Sequence, residues 1–207
     1  MDAFLFATAH CQFGSRWADE ACLFSNLRAD TYCRIVKGVL ARMAPSMLEI
    51  LVWGMSKFMY ELQFENKKFR HFPKAFVAVD ATVQEATAWG STFEAKKRMF
   101  SKEHKSYCLK AEVGVQPTGL ANHVSGFCLG AVHDMTLFCN RLEGHTKLLK
   151  KAQQDAEIIN ARHLHASYPV QWAMLLNKGH NRASKLLRGI MPYKQMRPLS
   201  VDELEFN

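Results

Sequence analysis

The run from Phe76 to Thr82 constrains this chain most, because it has the pattern of a buried β-strand that carries a single carboxylate. Apolar residues fill positions 76–79, and Asp80 follows them directly. A charged group in a buried strand loses its hydration, which costs several kcal/mol unless a cation, a partner or water compensates it. The position of Asp80 therefore predicts a metal site or a catalytic site at the end of this strand.

A second stretch, residues 172–179, has the same outline with an amide in place of the acid. Apolar residues again lead up to the polar side chain, which here is Asn177. If the two strands are parallel neighbours, Asp80 and Asn177 lie at the same edge of the sheet. Such a pair of positions suits a two-metal phosphodiester site, in which carboxylates hold two divalent cations. The alternative for Asp80 is an ordinary helix-cap or turn carboxylate at a strand end.

The first part of the chain, residues 1–70, has a helical pattern. Apolar residues from Tyr32 to Met43 recur every three or four positions behind Asp30, which is a favourable N-cap. Pro45 suits the first turn of a second helix. Apolar residues on one face of this helix continue to Leu62. Helices of this kind bury apolar faces against a partner as readily as against their own core.

From Pro73 onward the pattern predicts an α/β domain over residues 71–207. Helical character returns at Asp134, is interrupted at Gly144 and ends before Pro169. This long crossover allows the fourth strand to return beside the first and parallel to it, which gives a mixed sheet with helices. The predicted strands, of which the first three form an antiparallel meander, are 75–84, 106–116, 120–127 and 170–176.

Positive charge is the second constraint. The formal net charge is +8, which makes a polyanion a plausible partner. Solvated surfaces are the ordinary explanation of such charge, whereas two groups that flank the two strand ends favour nucleic acid. The first basic cluster is Lys96, Lys97, Arg98, Lys102, Lys105 and Lys110, and the second is Lys178, Arg182, Lys185, Arg188, Lys194 and Arg197.

Other features bound the cellular setting. The chain has 6 cysteines without a Cys-x-x-Cys pair, which favours reduced thiols in the cytosol or nucleus over a disulfide framework. It shows no signal-peptide pattern and no run of about 18 apolar residues that would span a bilayer. We therefore expect neither secretion nor membrane insertion.

Four segments with consistent order and spacing carry a family resemblance: 72–82, 102–105, 130–138 and 175–180, the last followed by Pro192-Tyr193-Lys194. Together they resemble the Harbinger-type DDE superfamily endonucleases, the catalytic domains of eukaryotic cut-and-paste transposases. The resemblance covers residues 72–207. It implies a ribonuclease H-like fold, a nuclear location and metal-dependent hydrolysis of phosphodiester bonds in DNA by two aspartates and a glutamate.

Asp80 matches the first aspartate of this family, but the resemblance is incomplete elsewhere. Asn177 stands where the second aspartate is usual, and His180 replaces a tyrosine. The family's glutamate follows a stretch that resembles residues 205–207, so the domain is expected to be truncated at its C-terminus. Asp134 belongs to a family Gly-Ser-Val-His-Asp pattern, and we expect it to be an N-cap or first-turn residue that could assist a metal ion.

These features predict a DDE-type domain with impaired catalysis. Replacing aspartate by asparagine removes one negative charge from the cation site, so we expect Mg²⁺ or Mn²⁺ to bind weakly at most. The predicted partner is DNA. Alternatives remain open: a non-catalytic DNA- or RNA-binding protein derived from a transposase, a protein that forms homo-oligomers through its N-terminal helices, or a decayed fragment.

Overall fold

The computed structural model describes residues 3–13, 16–25, 27–90, 92–160, 164–180 and 182–191. The chain divides into two compact units, Met1–Gly54 and Met55–Asn207. This boundary lies earlier than the predicted one near residue 70. The physical reason is that Met59 and Leu62, at the end of the predicted helical segment, are buried in the core of the second unit.

The first unit is helical. Its elements are α1 (Ala3–Phe13), α2 (Trp17–Phe24) and α3 (Ala29–Leu48), which ends in a π-helical turn, Glu49–Trp53. Its core contains Phe6, Ala7, Ala21, Tyr32 and Val36.

Two helix boundaries in the first unit differ from the prediction. Asp30 lies in the first turn of α3, and Arg28 is the N-cap. Pro45 does not open a second helix but lies inside α3. The missing N–H of Pro45 removes one backbone hydrogen bond of α3, and the helix continues through it.

The second unit is a mixed α/β fold. Its helices are α4 (Met59–Phe64), α5 (Phe93–Lys97), α6 (Asp134–Cys139) and α7 (Leu142–Leu149). Its strands are β1 (Ala75–Glu85), β2 (Phe100–Ser101), β3 (Ser106–Val115), β4 (Ala121–Val124), β5 (Cys128–Leu129), β6 (Ala173–Leu176) and β7 (Gly189–Ile190).

The sheet combines antiparallel and parallel pairing, as predicted. Its order is β2-β3-β1-β6-β7, and β4 and β5 also pair with β3. Strand β1 is antiparallel to β3 and parallel to β6, with Val79 in register with Leu176. The long separation between β3 and β6 in sequence therefore allows β6 to lie directly beside β1, which brings Asp80 towards Asn177.

Three details of the prediction for this unit are wrong. The strand predicted at 120–127 is split into the short strands β4 and β5. Gly144 lies inside α7, and the helical break falls instead at Asn140–Arg141, between α6 and α7. The crossover helix ends at Leu149 rather than near Pro169, and a 3-10 turn at Gln153–Asp155 follows it.

The two faces of β1 have different surroundings because successive side chains point to opposite sides of a strand. Val77 and Val79 are buried in the main core with Phe138, which lies on α6. Asp80 and Thr82 lie on the opposite face and are exposed. Asp80 is therefore a solvated carboxylate, and the hydration penalty expected from the sequence does not arise there.

A buried carboxylate, Asp155, connects several segments that surround this core by hydrogen bonds. Asp155 accepts hydrogen bonds from the backbone N–H of Tyr60 (3.1 Å), the backbone N–H of Ala152 (3.0 Å) and the indole N–H of Trp172 (2.9 Å). These donors belong to α4, to the segment before the 3-10 turn and to the chain entering β6. One acid therefore joins its own turn to α4 and to the start of β6.

Candidate functional site

Asp80 and Asn177 are direct neighbours, which confirms the predicted proximity. Asn177 immediately follows β6, and its side-chain Nδ2 donates a hydrogen bond of 2.5 Å to Asp80 Oδ1. The same oxygen accepts the backbone N–H of Ala81 at 2.8 Å. Asp80 is not at the end of its strand, as the sequence suggested, because β1 continues to Glu85.

The orientation of the Asn177 amide follows from its other partners. The backbone N–H of Gly179 lies 2.9 Å from Asn177 Oδ1, and a backbone N–H can only donate, so the carbonyl oxygen faces Gly179 and the NH₂ group faces Asp80. His180 Nδ1 lies 2.6 Å from the same oxygen and therefore carries a proton. The amide thus bridges the carboxylate and the following turn.

His180 is a buried ring at this turn. Burial lowers its pKa, and this effect outweighs the opposing influence of Glu112, Asp80 and Asp134. The lowered pKa favours the neutral ring, in which Nε2 is a hydrogen-bond acceptor. His180 Nε2 has no hydrogen-bond partner among the described residues.

Asp134 approaches the same turn from α6. An added Cβ at Gly179 would lie 3.0 Å from Asn177 Oδ1 and 3.3 Å from Asp134 Oδ2. Gly179 therefore lies between these two side chains, with little space for a side chain of its own. Asp134 is the first residue of α6, which fits the first-turn prediction. The N-cap is His133, whose Nδ1 accepts the N–H of Met135.

Asp134 is compensated by a buried lysine. Lys110 Nζ donates a 2.8 Å hydrogen bond to Asp134 Oδ1, and the two side chains are only 5% and 8% exposed. Lys110 therefore neutralises an internal acid. Lys110 lines the same cleft as Lys97 and Lys102 of the first basic cluster, but it is buried, because β3 carries it onto the covered face of the sheet.

These contacts do not fit the two-cation site that the family resemblance implies. Asp80 Oδ1 already accepts two N–H groups, and the neighbouring position offers a neutral amide whose oxygen is engaged. Asp134 is paired with an ammonium group. Two divalent cations require several anionic oxygens that are free to approach them. Residues 205–207, after which the family's glutamate is expected, lie outside the described residues.

Most of the predicted nucleic-acid contacts are surface cations. Arg188 is the exception, because it is 1% exposed and its guanidinium donates to Asn160 Oδ1 (2.7 Å) and to the backbone carbonyl of Gln171 (3.1 Å). Burial lowers the pKa of Arg188. Lys194 and Arg197 lie outside the described residues. The exposed members are Lys96, Lys97, Arg98, Lys102, Lys105, Lys178, Arg182 and Lys185.

A cleft connects the first basic cluster to the Asp134 turn. Its volume is about 610 Å³, and its lining includes Lys97, Lys102, Asp134 and Gly179. A second depression, of about 460 Å³, lies over the exposed face of the sheet beside Asp80. Basic side chains line only the first of these two features, because the lining of the second contains Asp80 and Asn177 among apolar and small residues.

The sequence prediction missed a buried group of potential metal ligands. Glu112 Oε1 lies 3.2 Å from His123 Nε2 and 3.0 Å from His145 Nε2. The three donor atoms all lie within 4.8 Å of one another, so this Glu/His/His group could hold a metal ion. The available signal was Glu112 itself, a lone acid between Ala111 and Val113 in a predicted strand.

Glu112 is ionised in spite of its burial. Burial raises its pKa, but the hydrogen bond with His123 and the close imidazole of His145 outweigh that effect and lower the pKa to about 2. The carboxylate is 1% exposed. Compensation by neighbouring cations or polar groups is therefore a structural requirement at this position.

Comparisons with known proteins gave no match. No protein-family model, curated protein or solved structure matches this chain. No helix among the described residues is long and apolar enough to cross a membrane. The Harbinger-type resemblance, and the roles it implies for Asp80, Asn177 and Asp134, stay predictions.

Proposed function

We propose that the second unit is a transposase-derived, DDE endonuclease-like domain that binds DNA and has lost most or all of its strand-cleaving activity. The observation that carries this proposal is the hydrogen bond from Asn177 to Asp80. It links the two positions at which the Harbinger-type resemblance expects acids. A pair of aspartates would repel one another there and attract cations, whereas the amide satisfies the single carboxylate without a metal ion.

The sheet topology supports the same ancestry. A central strand that is antiparallel to one neighbour and parallel to the other is compatible with a ribonuclease H-like sheet. In this arrangement Asp80 lies on β1 and Asn177 directly after β6, so residues far apart in sequence become neighbours. We propose the ribonuclease H-like assignment on this basis.

Weak metal binding follows from the charges at this site. Mg²⁺ prefers anionic oxygens in octahedral geometry and gives up its water reluctantly. Asp80 supplies one carboxylate, while Asp134 is already paired with Lys110. At most one Mg²⁺ or Mn²⁺ ion would bind, and weakly, so the proposed residual cleavage is far below that of a site with its full set of acids.

DNA binding is supported by the exposed cations. Lysine and arginine side chains from α5 to the start of β3, and again after β6, are solvent-exposed, and the cleft beside Asp134 begins at Lys97 and Lys102. Contacts between such side chains and phosphates release counterions, so affinity falls steeply with salt and does not depend on base sequence. The Harbinger-type resemblance also implies a nuclear location, which we include in the proposal.

Two measurements on the full chain test the proposal. Fluorescence anisotropy with a labelled DNA duplex in the presence of EDTA should show binding that weakens as salt increases. A supercoiled-plasmid assay with Mg²⁺ or Mn²⁺ should show little nicking, and Asp80→Ala should leave it unchanged. Strong nicking that disappears in Asp80→Ala would contradict the proposed loss of catalysis, and a failure to bind DNA would contradict the binding role.

Self-association of the first unit is a second candidate. Large apolar side chains near the end of α3 and in the π-helical turn are exposed, with Ile50 at 63% and Trp53 at 58%. Exposed apolar groups in one run are typical of interaction surfaces. If this candidate is correct, light scattering after size exclusion should give the mass of a dimer for the parent chain. The Ile50→Ser variant should give the mass of a monomer. A monomer at all concentrations would exclude this candidate.

A further inference from the structure

The Glu112, His123 and His145 side chains come from three separate elements. Glu112 lies on β3, His123 on β4 and His145 on α7, and all three meet on the covered side of the sheet. Glu112 and His145 are almost completely buried, while the His123 side chain is 13% exposed. This convergence is independent of Asp80 and Asn177, and it goes beyond the proposed DNA-binding function.

Several polar side-chain atoms of this cluster lack a hydrogen-bond partner within the described part of the chain. They include Glu112 Oε2 and both ring nitrogens of His145. His145 Nε2 lies 3.0 Å from Glu112 Oε1 without forming a hydrogen bond to it. Buried polar atoms are nearly always paired, so unpaired ones at a single point indicate that a ligand belongs there.

We propose that Glu112, His123 and His145 bind one Zn²⁺ ion. Zinc takes imidazole nitrogen and carboxylate oxygen at about 2.0–2.2 Å, which in a tetrahedron puts neighbouring donors about 3.3–3.5 Å apart. The observed separations of 3.2 Å and 3.0 Å from Glu112 Oε1 require only a small adjustment. Two imidazoles favour zinc over Mg²⁺, which prefers oxygen ligands.

The surrounding contacts hold two of the ligands in place. The Glu112 backbone N–H donates to Ser125 Oγ, and the Ser125 N–H donates to the Glu112 carbonyl, both at 2.8 Å. The His145 ring stacks on Phe138 with centroids 4.6 Å apart and planes 20° apart. Such support restricts the side chains before a metal ion arrives, which lowers the entropy cost of binding.

Arg141 places a positive charge beside Glu112 and His123 when zinc is not bound. Its Nε lies 3.6 Å from Glu112 Oε1, and its Nη2 lies 3.1 Å from His123 Nδ1. Because a guanidinium only donates, His123 Nδ1 accepts, and the proton of the neutral ring is on Nε2, facing Glu112. Zinc binding at Nε2 therefore requires the ring proton to move to Nδ1, and Arg141 must then withdraw because Nδ1 can no longer accept its N–H. The Arg141 side chain is 30% exposed, so it has a route into solvent.

The experiment is a zinc titration of the chelator-treated full chain in competition with a chromophoric chelator. The parent chain should bind one Zn²⁺ at this site. Glu112→Gln and His123→Asn should each weaken binding at least about tenfold, a loss of the size that even outer-shell changes produce at metal sites. Arg141→Gln should tighten binding, because it removes the competing cation. His104→Asn, which changes an exposed histidine outside the cluster, is the matched control and should bind as the parent does.

Co²⁺ absorption identifies the ligands directly, since the chain also has exposed cysteines at Cys11, Cys22 and Cys139. Binding by the cluster should give weak visible bands without the strong near-ultraviolet absorption of thiolate–cobalt bonds. Circular dichroism of each variant establishes that it is folded, and Arg141→Gln serves as the test if the ligand variants unfold. The proposal is overturned by absence of zinc binding, by equal affinity in the parent chain and His123→Asn, or by weaker binding in Arg141→Gln.

Discussion

Asp80 and Glu112 lie on neighbouring strands, and each is a lone acid in an apolar run, yet their surroundings are opposite. Asp80 is exposed and accepts an amide from Asn177, whereas Glu112 is buried and surrounded by two imidazoles and a guanidinium. In the β1–β3 register, Glu112 is opposite Ala81, so the two acids differ by one step and point to opposite faces. One step along a strand thus separates a solvated acid from one whose charge needs internal compensation.

This difference changes where the metal chemistry of the chain is expected. The family resemblance directs attention to Asp80, where the local contacts leave little demand for a cation. The physical argument about buried charge, which the sequence first suggested for Asp80, applies to Glu112 instead. The following predictions test this comparison through the free energy of unfolding, from the largest expected effect to the smallest.

Glu112→Gln should be the most destabilising of the isosteric changes. It leaves the partly exposed Arg141 guanidinium and the two imidazoles without their carboxylate, which should lower the free energy of unfolding by about 3 kcal/mol, the upper range for buried groups that lose a charged partner. Asp80→Asn should change the free energy of unfolding by no more than about 0.5 kcal/mol, as is usual for substitutions at the surface. Urea denaturation of both variants measures the difference, and equal losses would remove the distinction between the two acids.

Asp155→Asn should lose about 2–3 kcal/mol, because three N–H donors lose a charged acceptor. This variant separates the general cost of altering a buried carboxylate from the specific role of the zinc cluster. Zinc should raise the melting temperature of Asp155→Asn by the same amount as that of the parent chain, and should not raise that of Glu112→Gln. The control is Glu157→Gln, an exposed neighbour. A zinc response lost in Asp155→Asn would argue against a local site.

Asn177→Asp should cost about 1–2 kcal/mol without divalent metal, since it replaces a hydrogen bond by the repulsion of two adjacent carboxylates. Mg²⁺ should recover this loss, because the new pair attracts a cation. Asn177→Ala removes the same hydrogen bond without adding charge and should show no such recovery. Calorimetric scans with and without Mg²⁺ measure both variants, and an Asn177→Asp protein insensitive to Mg²⁺ would mean that this pair of positions cannot hold a cation.

Lys178→Gln should change stability least, within about 0.5 kcal/mol, because the side chain is exposed. If it contacts a phosphate, the slope of log affinity against log salt for DNA should decrease by about 1. Arg188→Lys should have the opposite pattern. It should lower the free energy of unfolding and leave the salt dependence of DNA affinity unchanged, because the hydrogen bonds of Arg188 are internal. Anisotropy titrations at several salt concentrations decide between these outcomes.

The positions of the central strands could be predicted well from the sequence. Strands β1 and β3 follow apolar runs bounded by turn residues, and β6 lies within its predicted range, so their pairing and the contact between Asp80 and Asn177 were accessible. The helical boundaries were less accessible. Pro45 and Gly144 lower helix propensity locally, but both lie inside helices. For the short helix α7, the packing of buried His145 and Leu149 supplies the stability that propensity does not.

Sequence alone determined the alternation of the strands, the parallel return that places Asn177 beside Asp80, and the excess of positive charge, since these depend on local pattern and chain connectivity. Tertiary structure alone decided which charges are internal: Lys110 is paired with Asp134, Arg188 is enclosed, and Glu112 meets two histidines. The physical reason is that burial depends on which elements cover a face of the sheet. Charge compensation then comes from residues far away in sequence, which periodicity cannot bring together.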